Sequence, residues 1–288
     1  MDKLNGRKII FNLKTKLWLS NILIYLFLGF MIVISVLPLV WVILSSFKTN
    51  SEILNNPFTL PSSIGFEQYK YLFEKYNFFR YFLNSVFIGV TSTIISLFIY
   101  AMAAYVIARY NFPGKNLVYV LFTITLLVPG QAKAQPIFSL VNTLDLYDSI
   151  YGLSIVYISF GLAMSIFILR SSFMSIPKSF DEAAILEGAS FFYIYRKIDL
   201  PLAKNGVLTA GMIMFLNNWN EYFYASLLTS SDENRTLPLA LQFFTESFSY
   251  DYTKLFAALT LVIVPGVVLY LVAQKQFRAG LTAGGVKG

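Results

Sequence analysis

Apolar residues in this chain come in long runs parted by short polar islands, and six of the runs reach bilayer length. About 20 apolar residues suffice to cross a hydrocarbon core as a helix. Such stretches lie at about 21–44, 83–107, 117–137, 151–169, 207–228 and 255–272. The pattern predicts an all-α fold, an integral membrane bundle of six transmembrane helices. A closed barrel is the other spanning solution, but barrel strands alternate in polarity and these runs do not. Two of the six are interrupted. Pro129-Gly130-Gln131-Ala132-Lys133-Ala134-Gln135-Pro136 breaks the third, and Asn217-Asn218-Trp219-Asn220-Glu221 breaks the fifth. The other four read as uninterrupted spans. The first follows Lys14 and Lys16 much as a secretory signal would. It exceeds the roughly 7–15 residues of a signal core and lacks a small-x-small cleavage site, so it reads as a retained helix.

Composition supports a membrane protein. Only 13% of the 288 residues are charged and 57% are hydrophobic, whereas a soluble domain carries about 25% charged residues. Charge then orients the spans. With the N-terminus inside, inner segments hold Lys3, Arg7, Lys8, Lys14, Lys16, Arg109, Lys115, Arg170, Lys178, Arg196, Lys197, Lys204, Lys275, Arg278 and Lys287, 15 of the 22 basic residues. Positive charge collects on the cytoplasmic side, which puts both termini in the cytoplasm. The net charge of +7 is therefore a topology signal, and no nucleic-acid patch is predicted. The chain has no Cys and no His. It lacks thiolate ligands and the commonest general base and proton relay, so neither a catalytic residue nor a metal site is predicted.

No repeat, soluble domain or dividing linker appears, and 1–288 reads as one membrane domain. It opens with a basic lead-in at 1–16. The long outer excursion at about 45–80 carries turn signals at Pro57 and Pro61 and a short amphipathic helix near 66–73, which reads as a lid. A tight inner turn holds Pro113 and Gly114. An inner loop covers about 170–204, an outer loop about 229–253, and a Gly-rich tail about 274–288, expected to be flexible unless a partner orders it.

The inner loop departs most from the surrounding composition. Ser179 and Glu182 have the S-x-x-E spacing of a capping box, which predicts a short helix starting there. Ala183 and Ala184 permit close approach of another surface. Gly188 stands where a helix needs a left-handed C-terminal residue. Pro201 is predicted to restart a helix where its missing N–H is harmless. A solvated connector accounts for the charges but not for this combination, and by pattern alone the connector and a docking element both stay open.

The spaced pattern Asp181, Glu182, Ala183, Ala184, Glu187, Gly188, Ile198, Leu200, Pro201 resembles the "EAA" signature of permease subunits of binding-protein-dependent ABC importers. The likeness extends to Asn84-Ser85, Ala103-Ala104-Tyr105-Val106-Ile107-Ala108-Arg109, Pro129-Gly130-Gln131, Trp219-Asn220-Glu221, Arg235-Thr236-Leu237-Pro238 and the C-terminal Gly-rich run. It covers about residue 80 to the end and is nearest the carbohydrate branch, the smaller permease of maltose-type transporters. The family pattern usually has Asp at the positions of Glu187 and Glu221; both keep an acid here. The resemblance implies a type I ABC importer permease fold of six helices, with Ser179 and the loop residues seating an ATPase subunit. It implies that Glu182 pairs with a base of that partner, that Gly188 makes the bend, and that Gly284, Gly285 and Lys287 reach the ATPase pair. It further implies a second related permease, two ATP-binding subunits and an extracytoplasmic sugar-binding protein. No G-x-x-x-x-G-K-[ST] phosphate loop occurs, so ATP and Mg²⁺ belong to the partner subunits.

Broken membrane helices tend to lie along substrate routes, where polar groups face a cavity. Gln131, Gln135, Asn217, Asn218, Trp219, Asn220, Glu221 and Tyr222 are the pathway candidates, against the plainer reading that the amides join helices by hydrogen bonds. Of the 28 Phe, 19 Tyr and 3 Trp, most belong to lipid-facing or interfacial positions. The solute can instead be a polyol, a glycerol phosphate or a polyamine. An ion-coupled carrier needs intramembrane acids, and only Glu221 is available. A membrane enzyme lacks paired carboxylates.

Overall fold

The computed structural model describes residues 2–247 and 250–285, and helix is the regular structure among them. In chain order the helices are α1 (Asp2–Ser45), α2 (Asn50–Asn55), α3 (Glu67–Lys75), α4 (Phe78–Arg109), α5 (Lys115–Ile124), α6 (Ala134–Thr143), α7 (Ile150–Ile158) and α8 (Leu162–Met174). They continue with α9 (Ser179–Leu186), α10 (Phe191–Ile194), α11 (Leu200–Leu202), α12 (Lys204–Trp219), α13 (Phe223–Leu228), α14 (Leu237–Ser247) and α15 (Tyr252–Gly285). A π-helical turn at Tyr195–Asp199 joins α10 to α11. The chain packs as two compact units, Met1–Tyr71 with Phe248–Thr260, and Leu72–Ser247 with Leu261–Gly288.

In the first unit, the apolar stretch Ser20–Ser45 of α1 has none of its best window buried. The helix runs unbroken from Asp2, so the basic lead-in is helical as well. Around its end the outer excursion is tied by polar groups. The Trp41 indole donates to the Pro57 carbonyl at 2.8 Å, and the buried Lys48 ammonium donates to the carbonyls of Asn56 (3.2 Å) and Pro57 (2.7 Å). Thr49 and Glu52 form a reciprocal capping box on α2. Hydrogen bonds from Ser62 and Thr49 to the Glu52 carboxylate pull its pKa down to about 2. Asn50 donates to the Tyr250 carbonyl and accepts from the Tyr252 amide, fixing the start of α15.

The second unit is organised by α4. Its interior face carries Ser85, Gly89, Ser92, Thr93, Ser96, Ala101 and Ala104, small side chains that let helices approach closely where lipid supplies no hydrophobic drive. One cluster joins Tyr100, Ala104 and Tyr105 of α4 to Ile166, Leu169 and Phe173 of α8 and to Ala210 and Met214 of α12. A second joins Ile88 to Val141 of α6, to Leu153, Val156 and Tyr157 of α7, and to Tyr224, Ala225 and Leu228 of α13.

Each of the six predicted spans falls on helix, but not all as expected. Among the described residues, Ser20–Ser45 and α4 are each long and apolar enough to cross a membrane, and α5–α6 and α7–α8 qualify only as bent pairs. The third run turns by 105°. Pro129 drives its predecessor Val128 into extended backbone, φ −88° and ψ 113°, as pre-proline sterics demand. The fourth run, read as uninterrupted, bends by 49° between Ile158 and Leu162. There Gly161 is left-handed at φ +72°, and the Ile158 carbonyl freed by the break accepts the hydroxyls of Ser96 and Tyr100 from α4. The fifth run is α12 and α13, and the sixth lies within α15.

Candidate functional site

The inner loop leaves α8 through a proline turn. Lys178 is already helical, at φ −63° and ψ −22°. The first turn is closed by Phe180 and Glu182 amides on the carbonyls of Pro177 and Lys178. The predicted capping box at Ser179 is therefore not formed: Ser179 is the first helical residue, and its side chain makes no cap. The predicted end of the helix is realised in full. Gly188 is left-handed at φ +80°, its amide donates to the Ile185 carbonyl, and the Ala189 amide donates to the Ala184 carbonyl. These are the two bonds of a Schellman motif.

Beyond it, Ser190 caps α10 with a bond from the Tyr193 amide. Pro201 stands at the start of α11, where the sequence predicts a restart, although no break precedes it. The helical path is continuous from Phe191, and the Leu200 amide reaches back to the Tyr195 carbonyl across the π turn. That wider turn feeds directly into the segment containing Pro201, near whose start a missing N–H is tolerated.

The α9 helix buries none of its side chains. Ala184 is half-buried and Glu182, Ala183, Glu187 and Gly188 are exposed, as are the apolar Phe180, Ile185 and Leu186, at 50%, 58% and 88%. Its tie to the bundle is ionic. Asp181 Oδ2 lies 3.3 Å from Arg109 Nε, and Arg109 Nη2 lies 2.6 Å from Asp199 Oδ1. Burial and the neighbouring Asp199 carboxylate push the Asp181 carboxyl upward, against the pull of Arg109. Ile198 and Leu200 are half-buried and Pro201 is exposed.

The two helix breaks meet. The Tyr224 hydroxyl on α13 donates to the Gly130 carbonyl at 2.7 Å, joining the interruption of the fifth run to that of the third. At the fifth-run break, the Glu221 carboxylate accepts the amides of Tyr224 (2.8 Å) and Ala225 (3.1 Å) and the Tyr157 hydroxyl. It thus satisfies two of the orphan amides at the start of α13. Asn218 is buried with its amide 3.5 Å from the Thr93 hydroxyl, and Trp219 is buried against Phe82 and Phe215. Gln131, Gln135, Asn217, Asn220 and Tyr222 are exposed, and the Tyr222 hydroxyl bonds Gln242.

Residues 100–282, which include α9, its ionic anchor and both breaks, match the family model "Binding-protein-dependent transport system inner membrane component". The chain belongs to this family. It is a permease, the non-catalytic inner-membrane subunit of an ABC importer. It is 31% identical to a probable ABC transporter permease of Bacillus subtilis, over 96% of this chain and 91% of that protein. It is 34% identical to the diacetylchitobiose uptake system permease of Streptomyces coelicolor, over 88% and 84%, and 34% identical to the trehalose transport system permease of Mycobacterium tuberculosis, over 88% and 93%. The fold matches a chain in the crystal structure of a bacterial ABC transporter that imports alginate, with TM-score 0.79, 24% identity, and 90% and 96% coverage.

Sequence reasoning left several of the permease's structural partners unassigned. The sequence marks Arg109 as a topology charge and as the end of a family-like run but gives it no partner, and it assigns no role to Asp199, Tyr157 or Tyr224. Arg109 meets Asp181 and Asp199 across 72 and 90 residues of chain, so no local spacing announces the contact. Gly284 and Gly285 are the last two residues of α15. Lys287 lies outside the described residues.

Proposed function

We propose that this permease forms half of the membrane pathway of an ATP-driven sugar importer, most simply for an oligosaccharide, and that α9 is the seat of an ATPase subunit. The observation that carries the docking reading is α9 itself: a helix closed by the Gly188 turn, with no buried side chain, offering Glu182 beside exposed Ile185 and Leu186. Such an apolar surface with an acidic rim fits a groove lined by basic residues. The sugar reading rests on the relatives, among them permeases for diacetylchitobiose and trehalose.

In this reading the whole chain works as one permease domain with both termini in the cytoplasm. A second related permease completes the pathway, and two ATP-binding subunits use ATP and Mg²⁺. A binding protein delivers sugar from outside, as in the alginate transporter solved with its alginate pentasaccharide-bound periplasmic protein. Gln131, Gln135, Asn217, Asn220 and Tyr222 line the route near the two breaks. Glu221, Asn218 and Trp219 hold those breaks in shape, and Gly284, Gly285 and Lys287 extend toward the ATPase pair. Ser179, Asp181, Ala183, Ala184, Glu187, Ile198, Leu200 and Pro201 frame the seat.

The test is Glu182→Lys in the co-expressed complex. ATPase subunits are expected to co-purify about tenfold less, a loss of about 1.4 kcal/mol, with the thermal unfolding of the permease unchanged. Wild-type recovery of the ATPases would overturn the assignment of α9.

A further inference from the structure

We infer that Arg109 is a positioning residue that clamps α9 to the end of α4, so that the two move as one body. The inference rests on the reading of α9 as the ATPase seat and names the route by which its displacement enters the bundle.

Three parts of the inner loop converge on this one guanidinium. Arg109 Nη1 donates to the carbonyl of Ile176, just past α8, at 2.8 Å. Nη2 donates to Asp199 at the end of the π turn, and both Nε and Nη2 face the Asp181 carboxylate of α9, at 3.3 and 3.4 Å. The side chains of Arg109 and Asp199 are 4% and 0% exposed. A planar fork of donors reaches several acceptors at once, which a lysine cannot do.

Packing does not hold α9, because none of its side chains is buried. The segment after it is packed, through the Tyr105 ring of α4 against Tyr195 at 4.9 Å and Phe191 at 5.5 Å. Between these parts lie Gly188 and Pro177, which shape the chain on either side of α9 without burying it. A buried ion pair is weak evidence for stability, since an apolar cluster serves as well. Here it supplies a fixed attachment between an otherwise unpacked helix and α4, the helix that carries both core clusters. Arg109 Nε and Asp199 Oδ2 are both buried without a hydrogen-bond partner, so Nε meets Asp181 as an ion pair only and Arg109 holds the Asp199 carboxylate by one oxygen.

The chain has no Cys, which permits paired spin labels at Asn111→Cys, next to the end of α4, and Lys178→Cys, at the start of α9. The probe is ATP with vanadate, added to the full complex with its ATPases. The expected result is one narrow 111–178 distance, the same with and without trapped nucleotide. In Arg109→Gln the distribution is expected to broaden about twofold, as release of a peripheral helix from its tether implies. A nucleotide-dependent shift of the wild-type distance, or an unbroadened Arg109→Gln, overturns the clamp. If Arg109→Gln fails to fold, Arg109→Lys decides: it keeps the charge but reaches fewer acceptors, so its distribution must be broader than wild type, and a wild-type width overturns the clamp. Co-purification of the ATPases reports separately on docking. A failed clamp with ATPases retained sinks only the clamp, whereas Glu182→Lys assembling normally sinks the seat.

Discussion

Glu221 behaves as a structural acid in the middle of a broken helix. Its two oxygens take two backbone amides and a tyrosine hydroxyl, so the charge is spread over donors that would otherwise be orphaned. Glu221→Gln turns an acceptor into a donor facing those amides. It is expected to lose about 2 kcal/mol, the scale of a charge-assisted bond with a stranded partner, read as a lowered unfolding midpoint in detergent. Asp148 does similar work in the outer loops. It accepts the amides of Ser230 (2.9 Å) and Ser231 (3.0 Å), the Ser231 hydroxyl and the Asn234 side chain. Burial opposes its ionisation, but these bonds outweigh it and hold the carboxyl below its ordinary 3.8. A depressed folded-state pKa stabilises the fold fully above that ordinary value and loses the contribution as pH falls through the folded one. The stability gap between wild type and Asp148→Asn should therefore shrink once the pH drops below about 4, measured as unfolding midpoints along a pH series.

Among the elements, α9 and the helix breaks differ in how much of them could be read from local residues. Gly188 was readable, because a Schellman turn needs one residue in the left-handed region and Gly alone enters it without strain. Gly188→Ala should cost about 1–2 kcal/mol. With no buried side chain in α9, the loss should appear as faster amide exchange at Gly188 and Ala189, leaving the bundle's unfolding midpoint unmoved. The capping box fails at Ser179 because spacing alone does not say where the backbone turns helical. Thr49 and Glu52 have the same spacing as Ser179 and Glu182 and do form the box, because Thr49 is extended at φ −76° and ψ 161° while Lys178 has already entered the helix. The bend in the fourth run was missed for a related reason. Gly161 is inconspicuous among apolar residues, and the hydroxyls that stabilise its break come from α4, 62 and 58 residues away, as interhelical hydrogen bonds.

For the whole molecule, the charge asymmetry makes a topological prediction. Single cysteines at Ser63 and Lys178, introduced one at a time, should differ in labelling by a membrane-impermeant maleimide applied to intact cells. Ser63 should react and Lys178 only after permeabilisation; the reverse would invert the bundle. Hydrophobic run length determined that this chain spans a membrane as helices, since in lipid every backbone group must be satisfied within its own segment. Local chemistry determined where two of those helices break and where α9 ends. Tertiary structure alone decided which residues serve those breaks and what holds α9. The Arg109 clamp, the Tyr224–Gly130 bond and the Tyr157–Glu221 bond each join residues far apart in the chain. A lone charge or hydroxyl carries no mark of its partner until packing removes the water that would otherwise solvate it.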